Sequence, residues 1–284
     1  MASELTASVE DALGQSVTAV EQLDGGMIGE VFRVELADRR VVVAKTGEHD
    51  LSTEGRMLSY LAAESDLPIP EVFHSDADLL CLEFVAGEST ITPAVERDAA
   101  GHIADLHAVE GRAFGFPFDT LTGPVPQPNP WTDRWIPFYR DQRVRSVCDR
   151  ASEAGTLPDG LASRVEEACS GFESLLTEPD HPALLHGDVW RTNLLTDGMR
   201  VTAFLDPACS YGHPEVELAY ADWTETFGDA FFETYRRERG IELDDGFFER
   251  RRYVYRLYPL LVHVHLFGGE YRSELDETLG RLGY

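Results

Sequence analysis

Apolar and polar positions alternate in two short runs near the N-terminus, Val31-Phe32-Arg33-Val34-Glu35-Leu36 and Arg40-Val41-Val42-Val43-Ala44-Lys45, on either side of an Ala37-Asp38 turn. A period of two in β-branched residues predicts a hairpin. Residues 4–22 before it read as a helix, and Leu23-Asp24-Gly25-Gly26-Met27-Ile28-Gly29 reads as a glycine-rich turn leading into the first strand. The hairpin then carries the glycine loop at one end and Lys45 on its return strand, both facing one cleft. Over 51–64, Leu51, Met57, Leu58 and Leu61 form the apolar stripe of a helix that Pro68 and Pro70 stop. Short strands near 71–74 and 79–84 complete a small lobe, with Val85-Ala86-Gly87 as the crossover. Beyond it the pattern is mainly helical, so the expectation is an α+β chain with a β-rich N-terminal lobe at 1–86 and a larger helical lobe at 87–284. In that second part, 114–130 is rich in Pro and Gly and reads as an extended surface segment. Helices are expected over 131–150, 161–176, 214–238 and 246–281, the last two with breaks, and no internal repeat of fixed period is visible.

One interruption of the helical pattern carries chemistry. Asp197-Gly198 is a favoured tight-turn pair between two apolar runs, 194–196 and 201–205, and so predicts a second hairpin. It brings Asn193, just before the first strand, close to Asp206, at the end of the second. Two oxygen ligands converge, as Mg²⁺ on nucleotide phosphates requires, since it takes hard oxygen donors and usually one or two carboxylates. Asp188, five residues before Asn193, opens the same loop and is placed to accept the proton of an attacking hydroxyl. This points to phosphoryl transfer from ATP with Mg²⁺.

Charge sharpens the picture. The 51 acidic residues against 24 basic ones give a formal net charge of -27, spread along the chain. Such a surface repels nucleic acid and anionic membranes, and it is the composition expected of a protein kept soluble in molar salt, hence a halophilic cytoplasm. Of the basic residues 23 are arginine and one, Lys45, is lysine. A lone lysine in a chain that otherwise uses arginine marks a place where a compact ammonium is needed and a planar fork would not fit. The four cysteines are widely spaced without a C-x-x-C pair, which suggests buried apolar residues rather than a zinc site or disulfides. No run approaches eighteen uninterrupted apolar residues, and the N-terminus lacks the basic start of a signal peptide, so a cytoplasmic protein is expected.

The block His186-Gly187-Asp188-Val189-Trp190 with Asn193, the block Asp206-Pro207-Ala208-Cys209-Ser210-Tyr211-Gly212-His213-Pro214-Glu215-Val216-Glu217-Leu218-Ala219, and Trp131 to Arg143 together resemble the fructosamine/ketosamine kinase family of protein-kinase-like phosphotransferases. The resemblance covers nearly the whole chain. It implies a two-lobed protein-kinase-like fold in which Asp188 is the catalytic base and Asn193 and Asp206 are magnesium ligands. Lys45 would bind the α/β-phosphates, Glu54 would orient Lys45, Gly25, Gly26 and Gly29 would approach the phosphates, and backbone groups of Glu83, Phe84 and Val85 would hold the adenine. Trp190 adjoins the base and is a candidate to stack on a sugar. The glycine loop departs from the family pattern, with Asp24 for the first glycine, Met27 where many members have cysteine and Gly29 for a polar residue, so only backbone N–H contacts are expected at position 29. The implied reaction is phosphorylation of the sugar 3-hydroxyl of a fructosyl- or ribulosyl-amine, free or on a protein lysine, which labilises the adduct and reverses glycation. A kinase for another hydroxylated amine, such as an aminoglycoside or choline, would share the loop, and a pseudokinase would have lost the base or metal ligands. No obligatory protein partner is suggested. Structural roles are expected for His186, as a loop lock, for His213 within its turn, and for Trp131, Trp135, Phe138 and Tyr139 in the core; His263 and His265, two apart on a helix, face different ways.

Overall fold

A glycine divides the N-terminal apolar stretch. In the computed structural model of the protein, which describes all residues except Met1, 24–28, 48–49 and 242, helix α1 (Ala2–Leu13) ends where Gly14 enters the left-handed region at φ 63°. The chain then continues as an edge strand, β1 (Val17–Leu23). The helix expected over 4–22 therefore stops at Leu13, nine residues short of the predicted end. Its second half holds Val17, Thr18 and Val20, whose branched side chains favour a pleated edge once Gly14 has broken the helix.

β2 (Glu30–Leu36) and β3 (Val41–Thr46) form the expected antiparallel hairpin, with Val31 opposite Lys45. Helix α2 (Ser52–Glu64) follows, and all four stripe residues, Leu51, Met57, Leu58 and Leu61, are buried. β4 (Val72–Ser75) and β5 (Leu79–Glu83) complete a five-stranded antiparallel sheet of order β1-β2-β3-β5-β4. The crossover comes to rest on the second hairpin: a Cβ on Gly87 would lie 3.0 Å from Leu195 Cβ, and Glu88 exchanges backbone hydrogen bonds with Thr196.

The larger lobe begins with α3 (Pro93–Leu106), capped by the Thr92 hydroxyl accepting from the Val95 amide. The segment expected to run over the surface at 114–130 instead pairs as β6 (Thr120–Thr122) with β7 (Val125–Gln127). It buries Phe114, Phe116, Thr120, Val125, Gln127 and Asn129. Pro126 occupies the exposed middle position of β7, while polar side chains satisfy the neighbouring backbone, Asp119 accepting from the Asn129 amide and Asn129 donating to the Phe118 carbonyl. One continuous helical run follows, made of α4 (Trp135–Phe138), a π-helical stretch at Tyr139–Arg145, and α5 (Ser146–Glu153). It starts four residues later than expected, leaving Trp131 only half-buried while Trp135, Phe138 and Tyr139 are core. After α6 (Asp159–Ser170) and α7 (Phe172–Leu175) come β8 (Ala183–Leu185), the hairpin β9 (Leu194–Thr196) and β10 (Val201–Phe204), and β11 (Ser210–Gly212), which pairs with β8. The hairpin closes through four residues, 197–200, with Asp197 Oδ1 accepting from the Met199 and Arg200 amides. Helices α8 (Pro214–Trp223), α9 (Asp229–Arg239), α10 (Arg252–Phe267) and α11 (Glu270–Leu282) close the lobe. All four cysteines are free and buried, as expected. Among the described residues no helix is long and apolar enough to cross a membrane.

Candidate active site

Two strand pairings bring the candidate residues together. β8 delivers the loop His186–Asn193 and β11 follows the loop Asp206–Cys209. Because β8 and β11 pair, and the Ala208 amide donates to the His186 carbonyl at 2.7 Å, the two loops are one unit. The second hairpin adds a further tie, from the Leu205 amide to the Asn193 carbonyl at 2.9 Å. Gly187 is indispensable to this approach: its φ is +88° and a Cβ there would lie 2.2 Å from the Ala208 carbonyl oxygen.

Within the unit, Asn193 Nδ2 donates to the Asp188 carboxylate at 2.8 Å and to the Asp188 carbonyl at 3.0 Å. The amide nitrogen is thereby used up, and the Asn193 side-chain oxygen is the group left for another partner. Burial raises the Asp188 carboxyl to about 7, helped by the nearby negative charge of Asp206 and opposed by hydrogen bonds from Tyr220 and Asn193. Asp206 sits at φ 53°, a left-handed conformation that few non-glycine residues adopt and that clusters at functional sites. Across the cleft, Lys45 Nζ bonds Glu54 Oε1 at 2.7 Å and also contacts Asp206 Oδ1. Burial works against the Lys45 ammonium, yet the facing Asp206 and Glu54 carboxylates overcome it and hold it above the ordinary lysine value. Burial would raise Asp206 too, but Lys45 draws it below the usual carboxylate range; Glu54, more enclosed, stays above its own.

Asp188, Asn193, Asp206, Lys45, Glu54 and Trp190 all line one cavity of about 230 Å³. Gly25 and Gly26 lie outside the described residues. Gly29, at φ +87°, approaches β3 so closely that a Cβ would lie 2.5 Å from the Thr46 carbonyl oxygen, one residue beyond Lys45. Glu83, Phe84 and Val85 are not part of the cavity lining, and the Glu83 amide is already given to the Glu71 carbonyl at 2.8 Å.

The residues behind the loops were not singled out by sequence reasoning. Glu217, buried on α8, accepts from the Gly187 amide at 2.6 Å and the His186 amide at 3.4 Å, and contacts His107 Nε2 at 2.8 Å. His107 is fully buried and its other nitrogen meets the Tyr235 hydroxyl at 2.7 Å. Burial opposes the Glu217 charge, but the bonds from His107 and Gly187 win and keep it ionised. His186 has the expected locking role, its Nδ1 accepting from the Asp188 amide at 3.3 Å in a fully buried ring. His213 bonds within its turn, accepting from the Glu215 amide at 3.1 Å to cap α8. On the other side, Gln127 Nε2 donates to the Ala208 carbonyl at 3.0 Å while its oxygen accepts from Tyr258 at 2.7 Å. Arg143, 3% exposed, reaches Asn129 and the Pro128 carbonyl without a carboxylate partner. For Glu217 and Arg143 the only signal lay in their position inside the longer sequence blocks, and His107 and Gln127 lie in none of them; nothing about a single Glu, Gln or Arg announces a buried brace.

The donor chemistry fits a hard divalent cation: an amide oxygen freed by the orientation of Asn193, and an ionised carboxylate on Asp206. Among the described residues no group of three or more His, Cys, Asp or Glu could hold a metal alone. A cation here would depend on ligand oxygens as well.

A five-stranded sheet lobe over a helical lobe, with a lysine–glutamate pair on one wall and a D-x-x-x-x-N loop beside a strand-end aspartate on the other, defines a phosphotransferase of the two-lobed protein-kinase-like class. The profile of the fructosamine kinase family matches residues 1–282, and the chain belongs to that family. A Vibrio cholerae protein named probable ketoamine kinase is 30% identical over 285 residues, covering 96% of each chain. The chloroplastic protein-ribulosamine 3-kinase of Arabidopsis thaliana is 33% identical over 177 residues, 60% of this chain and 52% of that one. Among solved structures, a Thermobifida fusca protein provisionally named a fructosamine-3-kinase superposes with a TM-score of 0.86 at 30% identity, covering 98% of this chain and 97% of the other.

Proposed function

We propose that the protein transfers the γ-phosphoryl group of ATP to the sugar 3-hydroxyl of a ketosamine, a fructosyl- or ribulosyl-amine either free or on a protein lysine, and so initiates removal of the adduct. The observation that carries the reading is the placement of an elevated carboxylate, Asp188, in hydrogen-bond contact with Asn193, in a loop unit that also presents Asp206 to Lys45. In this reading Asp188 accepts the proton of the acceptor hydroxyl as that hydroxyl's oxygen bonds to the γ-phosphorus, the bond from that phosphorus to the β–γ bridging oxygen breaks, and ADP leaves. A base near neutrality is suited to this, because it is ionised at working pH yet basic enough to take the proton. Asn193 and Asp206 would hold Mg²⁺, which supplies neutralisation of phosphate charge when bound. Lys45, steadied by Glu54, takes the α/β-phosphates, Gly29 contributes a backbone contact and Trp190 stacks on the sugar; residues 83–85, which lie off the cavity lining, are given no part in holding the adenine. The lobes divide at 86/87, a boundary supported by the contact of Gly87 with the second hairpin.

The test is ATP consumption in molar KCl with Mg²⁺ on ribulosyl-lysine, fructosyl-lysine, an aminoglycoside and choline, with Asp188→Asn alongside. Turnover on a ketosamine that disappears in the variant is expected. Turnover confined to the aminoglycoside or choline, or nucleotide binding without turnover, would overturn the assignment.

A further inference from the structure

Asp206 is held in a backbone conformation that neither its own residue type nor its neighbour favours. Its φ of 53° is left-handed, and the ring of the following Pro207 presses a preceding residue toward the extended region. A released Asp206 would turn that way, and its carboxylate, which lines the cavity and contacts Lys45, would turn with it. Such a geometry persists only where the surroundings over-determine it. Upstream the tie is the Leu205 amide on the Asn193 carbonyl. Downstream Pro207 has no N–H to give, so Ala208 and Cys209 are the first residues that can be held from both backbone groups.

They are held by a set of side chains with one sense of donation. Arg143 can only donate, and its Nη2 does so to Asn129 Oδ1. Asn129 Nδ2 therefore faces Thr120 Oγ1, to which it donates at 2.8 Å, and the Thr120 hydroxyl donates onward to the Cys209 carbonyl at 3.1 Å. Gln127 Nε2 donates to the same Thr120 oxygen at 2.8 Å and to the Ala208 carbonyl at 3.0 Å, while its oxygen accepts from Tyr258. Reversing either amide would set donor against donor at one end. Thr120, Gln127, Asn129 and Arg143 are each at most 3% exposed, so no bulk water competes and each bond polarises the next.

Resting on the phosphotransfer reading above, we infer that Gln127 is a positioning residue of the active site: through the Ala208 carbonyl it keeps Asp206 in the left-handed conformation that presents its carboxylate to the cleft. Arg143, Asn129 and Thr120 fix the sense of that hold. Gln127 touches neither nucleotide nor acceptor in this role. Its effect falls on what Asp206 can bind, and the base Asp188, tied separately through Asn193 and Glu217, keeps its place.

Equilibrium binding of ADP to the full chain, with Mg²⁺ and with EDTA, tests this without any acceptor. Gln127→Met keeps the side-chain length and removes the donor: the gain in ADP affinity due to Mg²⁺ should shrink roughly tenfold, the worth of one buried hydrogen bond, while affinity in EDTA stays within about twofold of wild type. Asp206→Asn marks the complete loss of the gain. Thr120→Val, which deletes the donor onto Cys209 at nearly unchanged shape, should show a smaller loss confined to the same Mg²⁺-dependent part. A gain that survives Gln127→Met, or affinities that fall equally with Mg²⁺ and with EDTA, would overturn the inference alone; should Gln127→Met not fold, an undiminished gain in Thr120→Val overturns it instead. A wild type whose ADP affinity is indifferent to Mg²⁺ would overturn the placement of the metal on Asn193 and Asp206, and the inference with it.

Discussion

The two walls of the cleft are held by different forces. On the sheet side, Lys45 is fixed by charge: one ammonium between Glu54 on its own lobe and Asp206 on the other. On the helical side, the loop of Asp188 is fixed by buried hydrogen bonds, with Glu217 gripping the Gly187 and His186 amides from behind and itself gripped by His107. The first arrangement can exchange partners when a polyanion enters, since an ammonium bonds phosphate oxygens as readily as carboxylates. The second cannot, because releasing Glu217 would leave a charge and two amides buried and unpaired. The chemical centre is thus preorganised while its charge clamp stays exchangeable, the division that electrostatic catalysis favours.

The sharpest probe of the preorganised wall is Asp188→Asn, expected to lower kcat on the order of 10² to 10⁴-fold in single-turnover measurements. The same variant tests the burial of the carboxyl. The folded value near 7 lies above the unfolded one, so the stabilisation from the protonated form is present below about pH 4 and lost as pH rises through 7. At pH 8 the Asn variant should therefore be more stable than wild type by about 2 kcal/mol in urea titration; equal stability would show that the carboxyl is better solvated than its surroundings imply. Glu217→Ala comes next, with an expected loss of about 3 kcal/mol read from the urea midpoint, and a normal midpoint would erase the contrast between the walls. Lys45→Met should change stability far less while raising KM for ATP 10- to 100-fold, the worth of one charge-assisted bond; a variant that unfolds instead would make the clamp as structural as the brace. Close to neutrality the effect is on pH and begins small: kcat/KM should fall tenfold per unit below about pH 7 as Asp188 takes up a proton, and a profile flat down to pH 5 would remove Asp188 from the role of base.

Much of the site was legible because it is local. The 194–205 hairpin, its turn and the spacing of Asp188, Asn193 and Asp206 are all set within nineteen residues, and α2 announces itself by a stripe of four leucine and methionine positions. The pairing of Lys45 with Glu54 was legible only through the family resemblance; the structure brings the two together from a strand and the next helix. What escaped was non-local. Val17–Leu23 lacks a clean alternation because, as an edge strand, it buries little on either face. The segment 114–130 carries the Pro and Gly of a surface loop, yet its Thr120, Gln127 and Asn129 find partners at residues 208, 209, 143 and 258, too far along the chain for any periodicity to register. Glu217 stands inside a sequence block with nothing to mark its role, since a buried glutamate on a helix looks in sequence like a solvated one.

The welding of the Asp188 and Asp206 loops through β8 and β11 has a consequence for how opening of the cleft could be observed. With those two loops moving as a unit, the separation of Lys45 from Asp206 registers a relative displacement of the lobes at the cleft itself. A pair of spectroscopic labels spanning β3 and β10 would then behave as a one-dimensional ruler, and a pair spanning β8 and β10 as its stationary reference.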